Sequence, residues 1–280
     1  MAMNNTNSYH TRSLHEQYNN KINNYCSKPR QDFNMLGLNP FQPLKSFRIG
    51  EINRFATMQH LLSFVEQIDK TKTFSIDTER HPQLGMVTLI KIELIQVEQK
   101  ESIVLCFELL HLPFAGTPLF LIVGLLLNKI FHPSKRIFVW SNDNKEALQT
   151  FVLYKYLAKS TLGDTNIIIL QLPFKQWYNK TFKHHEKCHV TSVINHDAYC
   201  CICPYRPYKN LNNQWALEKA INHVFQEFIR QPNGNYIDHR QNFIYSVYRC
   251  LAISKLLMVV ELDWTLDQLH QFKKFHQGKI

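Results

Sequence analysis

The chain has 280 residues, 45% of them hydrophobic and 19% charged, with only eight glycines. That composition excludes a disordered or repeat-built chain and is enough for one large globular domain, or for a domain with an insertion and a tail. The formal charge of +10 and a pI near 9.2 favour polyanionic partners such as nucleic acid or an acidic membrane face; scattered Lys and Arg residues also suit a protein that binds no polyanion.

Residues 1–45 are a polar, Asn-rich leader, expected to be flexible or weakly helical. It lacks the pattern of a secretory signal, so an intracellular protein is expected, nucleus and cytoplasm undistinguished. Order is expected from "FRIGEINRFATMQHLLSFVEQI", where Thr57 can cap a helix with Leu61, Leu62, Phe64, Val65 and Ile68 on one face. Three strand-like runs follow: Thr73 to Ile76, Val87 to Ile95 and Ile103 to Leu109. Their short connections predict antiparallel neighbours.

The rhythm then changes. The apolar window "LPFAGTPLFLIVGLLLNKIF" carries Pro113 and Pro118, and its unbroken part is too short to span a bilayer. It predicts a turn and a buried helix leading to the strand "RIFVW". A helix over "KEALQTFVLYKYLAKS" leads to the strand "NIIILQL". Such alternation implies parallel pairing, and the sum is a mixed five-stranded α/β sheet with helices on both faces. From Pro173 to Asn213 the sequence is irregular and rich in aromatics, His and Cys. Two helices, "QWALEKAINHVFQEFIRQ" and "RQNFIYSVYRCLAISKLLMVVEL", close the chain.

The stretch "FSIDTERHPQLGMVTLI" carries the chemistry. Alternate residues of a strand point the same way, so Asp77 and Glu79 project together. Neighbouring carboxylates raise the cost of each other's ionisation unless a cation neutralises them. Mg²⁺ or Mn²⁺ would do so; an ordinary polar strand end is the other reading. The chain shows no phosphate-cradling glycine loop and no nucleophile elbow.

"FSIDTE" followed by "HPQLGMVTLI" resembles the first motif of the RNase D-like branch of the DEDD 3'-5' exonucleases. The resemblance covers roughly residues 48–262 and implies a ribonuclease H-like fold. It also implies a site where four carboxylates from three motifs hold two divalent ions that activate a water and stabilise the leaving oxygen of a phosphodiester. Asp77 and Glu79 match the first motif. For the second, the family's spacing points to Asn144, and Asp143 fits with a one-residue shift; "SNDNKEAL" is equally a good helix N-terminus. In the third, Tyr245 stands where the family's Tyr steadies the attacking water, and Arg249 occupies the position of the last Asp. A guanidinium cannot ligate a metal but can pair with carboxylates.

The resemblance therefore implies catalytic positions Asp77, Glu79, Asp143 and Tyr245. The first three would be ligands for Mg²⁺ or Mn²⁺, and hydrolysis would be weak or lost. The alternative is a non-catalytic interaction module that binds RNA, DNA or a protein. Residues 46–280 would form the exonuclease-like domain, with a Cys/His-rich insertion at about 174–213.

Within that insertion Cys188, His196, Cys200 and Cys203 are a workable tetrahedral set for structural zinc. The other reading is a loop of buried thiols; with no export signal, both come before a disulfide framework. Trp177, Tyr178, Phe182, Tyr199, Tyr205 and Tyr208 are interleaved with Lys175, Lys180, Lys183, Lys187, Arg206 and Lys209. Such a mixture suits single-stranded RNA or DNA and equally suits a loop packed onto the domain.

Overall fold

The computed structural model describes residues 37–183, 214–229 and 239–277. Eight strands are present there: β1 (Asn39–Pro40), β2 (Ser46–Ile52), β3 (Thr73–Arg80), β4 (Val87–Ile95), β5 (Glu101–Glu108), β6 (Arg136–Val139), β7 (Asn166–Ile169) and β8 (Glu227–Phe228). Six of them form one sheet in the order β2-β5-β4-β3-β6-β7. β3, β4 and β5 are antiparallel neighbours, and β6 and β7 add in parallel beside β3. This mixed sheet, with helices on both faces, is the ribonuclease H-like arrangement.

The sheet has one strand more than the five expected. β2 lies parallel to β5 on the outer edge. Gly50 lets it approach the helix above: a Cβ there would stand 2.4 Å from the Phe64 ring and 2.9 Å from Leu105. The chain is also ordered before the expected start, since β1 pairs in parallel with β8. A buried ion pair fastens this edge. Lys255 Nζ donates to both oxygens of Glu227 at 2.8 and 2.7 Å and to the Gln42 carbonyl at 2.7 Å.

Alternation along the strands sorts the two faces. Phe74, Ile76, Ile90, Ile92, Leu94, Ile103, Leu105 and Phe107 pack with Leu61, Phe64 and Ile68 of α1 (Met58–Lys70) and Val123, Leu126, Leu127 and Ile130 of α2 (Pro118–Ile130). Each of these large apolar side chains gains about 1.5–3 kcal/mol from leaving water. The cap the sequence suggests is present: Thr57 accepts from the His60 N–H; Thr117 does the same for the Phe120 N–H, with Pro118 next to it.

Three departures from the expected helices have local causes. "KEALQTFVLYKYLAKS" folds as three short helices, α3 (Asn142–Ala147), α4 (Gln149–Leu153) and α5 (Lys159–Asp164). Phe151, Tyr156, Leu157 and Leu162 all enter the core, a spacing one straight helix cannot bring to one side. The break falls at Lys155, with φ of 64°.

The expected irregular segment begins with α6 (Gln171–Thr181), where Pro173 falls in the first turn and removes no helical hydrogen bond. Trp177, Tyr178 and Phe182 are buried there in a cluster with Phe174 and Trp215. Of the two uses open to these three aromatics, the structure shows packing. Tyr199, Tyr205 and Tyr208, with Lys187, Arg206 and Lys209, lie outside the described residues, as do the zinc candidates Cys188, His196, Cys200 and Cys203.

At the C-terminal side α7 (Leu217–Phe225) ends at Gln226 in the left-handed conformation, and Phe228 belongs to β8. α8 (His239–Glu261) follows. A third closing helix that the sequence reading did not include, α9 (Leu266–Gln277), starts at Thr265, which accepts from the Gln268 N–H. The Gln268 side chain accepts from Thr265 N–H in return, a capping box. The stretch Phe243–Glu261 of α8 is long and apolar enough to cross a membrane. Here it is the core helix of the second face, with Val247, Cys250, Leu251, Ile253, Leu256 and Leu257 buried.

Candidate functional site: a carboxylate pair closed by internal cations

β3 runs through Asp77 and Glu79 to Arg80, so the two carboxylates stand inside the strand rather than at its end. With Ser75 they project toward α8. β4 places Lys91 directly opposite Asp77 and Glu93 opposite Ser75. The antiparallel register thus builds a polar seam between the sheet and the last core helix.

Lys91 is the centre of this seam. Its side chain is fully buried, and its ammonium donates to Asp77 Oδ2 at 2.8 Å and to Glu79 Oε1 at 2.9 Å. Asp77 is buried equally, while Glu79 keeps a third of its side chain exposed. Asp77 Oδ2 also accepts from Arg249 Nε at 3.3 Å. Arg249 Nη1 donates to Glu218 in the first turn of α7, and the Tyr245 hydroxyl donates to the same Glu218 oxygen at 3.0 Å.

The remaining oxygen of Asp77, Oδ1, accepts from Asn144 Nδ2 at 3.3 Å. That amide group also donates to Thr78 Oγ1 at 3.0 Å, and its carbonyl accepts from the Ser141 N–H and hydroxyl. The capping box of α3 therefore orients Asn144 toward β3. Asp143, one residue earlier, is exposed. The one-residue shift that would bring Asp143 to the site is corrected: the turn that presents Asn144 to Asp77 points its neighbour outward.

The protonation states follow from these contacts. Burial alone would raise the Asp77 pKa, but Lys91 and Arg249 outweigh it and hold the carboxyl below its usual range. Burial alone would lower the Lys91 pKa, and Asp77 and Glu79 reverse that, so the ammonium stays protonated. Burial likewise works against the Arg249 charge, and Asp77 and Glu218 more than restore it. Burial first, and then Glu218, raises the Tyr245 hydroxyl, which keeps it a neutral donor.

The positions to which the resemblance assigns divalent ions thus read Asp77, Glu79, Asn144 and Arg249. Two of the four are carboxylates, and both of these already bind an ammonium fixed in the chain. Among the described residues no three His, Cys, Asp or Glu side chains are grouped to share an ion. This donor set does not fit a two-metal centre.

The sequence reading had placed Asp77, Glu79, Tyr245 and Arg249 together, and the structure brings them together. It missed Lys91 and Glu218. A signal for Lys91 existed: in "TLIKIELI" Lys91 and Glu93 alternate with isoleucines, which marks a polar face on a buried strand. Glu218 gave none, because its partners arrive from a helix some thirty residues away.

No protein-family model matches the sequence, and no curated protein matches it. Solved structures resemble it in fold. The Aedes aegypti Nibbler EXO domain superposes with a TM-score of 0.44 at 10% identity, over 83% of this chain and 100% of that one. Escherichia coli RNase D, an exoribonuclease, gives 0.42 at 12%, over 83% and 51%. Trypanosoma brucei RNase D in complex with RNA U12 gives 0.40 at 13%, over 76% and 63%. The chain thus resembles RNase D-type exonuclease domains and spans about half the length of the E. coli enzyme. Likenesses this distant carry no argument about chemistry.

Two predictions follow from the seam itself. Lys91→Met leaves Asp77 buried against a methyl group and should lower stability by about 3–5 kcal/mol in urea unfolding. Adding Asp77→Asn should recover part of that loss, whereas additive losses would show that the two groups do not interact.

Glu93 is the second case. It is buried, accepts from Ser75 and Ser102 at 3.0 Å each, and burial pushes its pKa up to about 7 from 4.5. The fold therefore prefers the neutral carboxyl: the contribution is complete below pH 4.5 and is lost as pH rises through 7. A loss of about 3 kcal/mol is expected over that window. Melting temperatures measured across it should fall in the native chain and stay flatter in Glu93→Gln.

Proposed function

We propose that the chain is a non-hydrolysing domain of the RNase D type, which binds single-stranded nucleic acid without cleaving it. The observation that carries this is the Lys91 ammonium, 2.8 Å from Asp77 and 2.9 Å from Glu79. A phosphodiester brought here would meet carboxylates that are already neutralised, beside an arginine where a metal ligand is needed. Within the described seam Asp77 is held ionised by two cations and Tyr245 donates to Glu218, so neither is free to take a proton from a water.

Binding is supported by the charge of +10, which raises the local concentration of a polyanion near the protein. The aromatic and basic run beyond residue 183, which interleaves Tyr199, Tyr205 and Tyr208 with Lys187, Arg206 and Lys209, is the part of the sequence suited to stacked bases. A protein partner is the second reading, favoured by an exposed apolar face described below.

The test uses labelled single-stranded RNA and DNA with Mg²⁺ or Mn²⁺. The expected result is no shortening of either strand, with binding that weakens at least roughly tenfold between low and moderate salt. Shortening that disappears in Asp77→Ala would contradict the loss of hydrolysis. Salt-insensitive binding, or none, would contradict the nucleic-acid assignment.

A further inference from the structure

The outward side of α1 and α2, with the turns that lead into them, carries six exposed large apolar residues. Phe55, Met58, Leu62, Phe114, Leu121 and Leu125 are between 43 and 75% exposed. They form one face, as two links between the helices show. At the C-terminal ends Asp69 and Lys129 make an ion pair at 2.6 Å. At the N-terminal ends the Arg54 guanidinium lies 5.1 Å from the Phe55 ring and 5.8 Å from the Phe114 ring. The helices therefore run parallel and side by side.

Leu62 is two turns before Asp69; Leu125 and Leu121 are one and two turns before Lys129, so all lie toward the shared outer channel. The core-facing positions Leu61, Phe64, Val123 and Leu127 are separate and already buried. The exposed part of the six apolar residues amounts to about 600 Å², the upper end for a monomer's largest patch. With its rim it approaches the roughly 800 Å² that each partner contributes to a standard interface.

We infer that this face pairs with the same face of a second copy, across a two-fold axis that sets the helices antiparallel. The face complements itself in that arrangement. An axis near His60 and Phe120 brings Met58 opposite the partner's Leu62, and Phe114 opposite the partner's Leu125 and its neighbours. The same axis brings Arg54 opposite the partner's Glu66, twelve residues along. Both are exposed, and neither makes an ion pair among the described residues. Apolar centre and charged ends thus match in one isologous contact. The carboxylate seam faces α8 on the other side of the sheet, so this pairing does not depend on the nucleic-acid assignment.

Sedimentation equilibrium of the full chain without nucleic acid tests it. The expected mass is twice 33.2 kDa, falling to the monomer in Leu62→Glu with Leu121→Glu while the melting curve is retained. Because substitution of apolar residues can disturb folding, a charge swap is the second arm. Arg54→Glu should weaken the dimer roughly tenfold, and Arg54→Glu with Glu66→Arg should restore it. A native chain that sediments as a monomer would overturn the proposal. So would a dimer indifferent to both sets of changes, or a face that captures only a different protein.

Discussion

The ammonium of Lys91 is the contact on which the polar half of this protein depends. Asp77 and Glu79 alternate on one strand and face the same way, and Asp77 has no access to water. Two such charges cannot both be ionised unless a cation lies between them. In a metal-dependent nuclease that cation comes from solution. Here it is delivered by the neighbouring strand through the register that pairs Asp77 with Lys91. A cation on a covalent stem neutralises the carboxylates without an ion from solution.

The replacement is carried through the neighbouring elements. Arg249 adds a second cation on the helix that crosses the seam, and α7 answers with Glu218, which also holds Tyr245. Asn144 donates to the oxygen of Asp77 that the cations leave. Lys91, Arg249, Asn144, Glu218 and Tyr245 thus satisfy a set of charges that would otherwise need ions from outside. The same logic recurs six residues further along α8, where Lys255 and Glu227 pair in a buried setting and tie β1 and β8 to the core. Buried ion pairs of this kind add little net stability, but breaking one leaves an unpaired charge, so each fixes a unique register.

Much of this was legible in the amino-acid order, because periodicity and spacing are local properties of the chain. The antiparallel trio, the parallel pair and the cap at Thr57 follow from local patterns. Asp77 and Glu79 were singled out by their alternation on one strand together with the resemblance of the surrounding motif, since such a pair alone is a common strand end. Arg249 was singled out by the resemblance, which expects an Asp four residues after Tyr245. The sixth strand was hidden: the short run Ser46–Ile52 joins the sheet only because Gly50 lets it lie under Phe64, a contact no local window contains. The three-part helix after β6 was hidden by its composition, which is helical throughout while its buried residues are spaced otherwise. Lys91 was readable in principle, since an isolated lysine in a fully buried strand requires a partner. Its meaning depends on which residue stands opposite, and that is a property of the sheet.

The most direct test of the account is a titration of the 280-residue chain with Mn²⁺, followed by paramagnetic broadening and by calorimetry. If Lys91 and Arg249 occupy the carboxylates, the native chain should show no saturable ion at Asp77, and Lys91→Ser combined with Asn144→Asp and Arg249→Asp should gain one. Saturable binding in the native chain that is lost in Asp77→Ala would mean that an ion displaces the lysine, and the internal-cation account would be wrong.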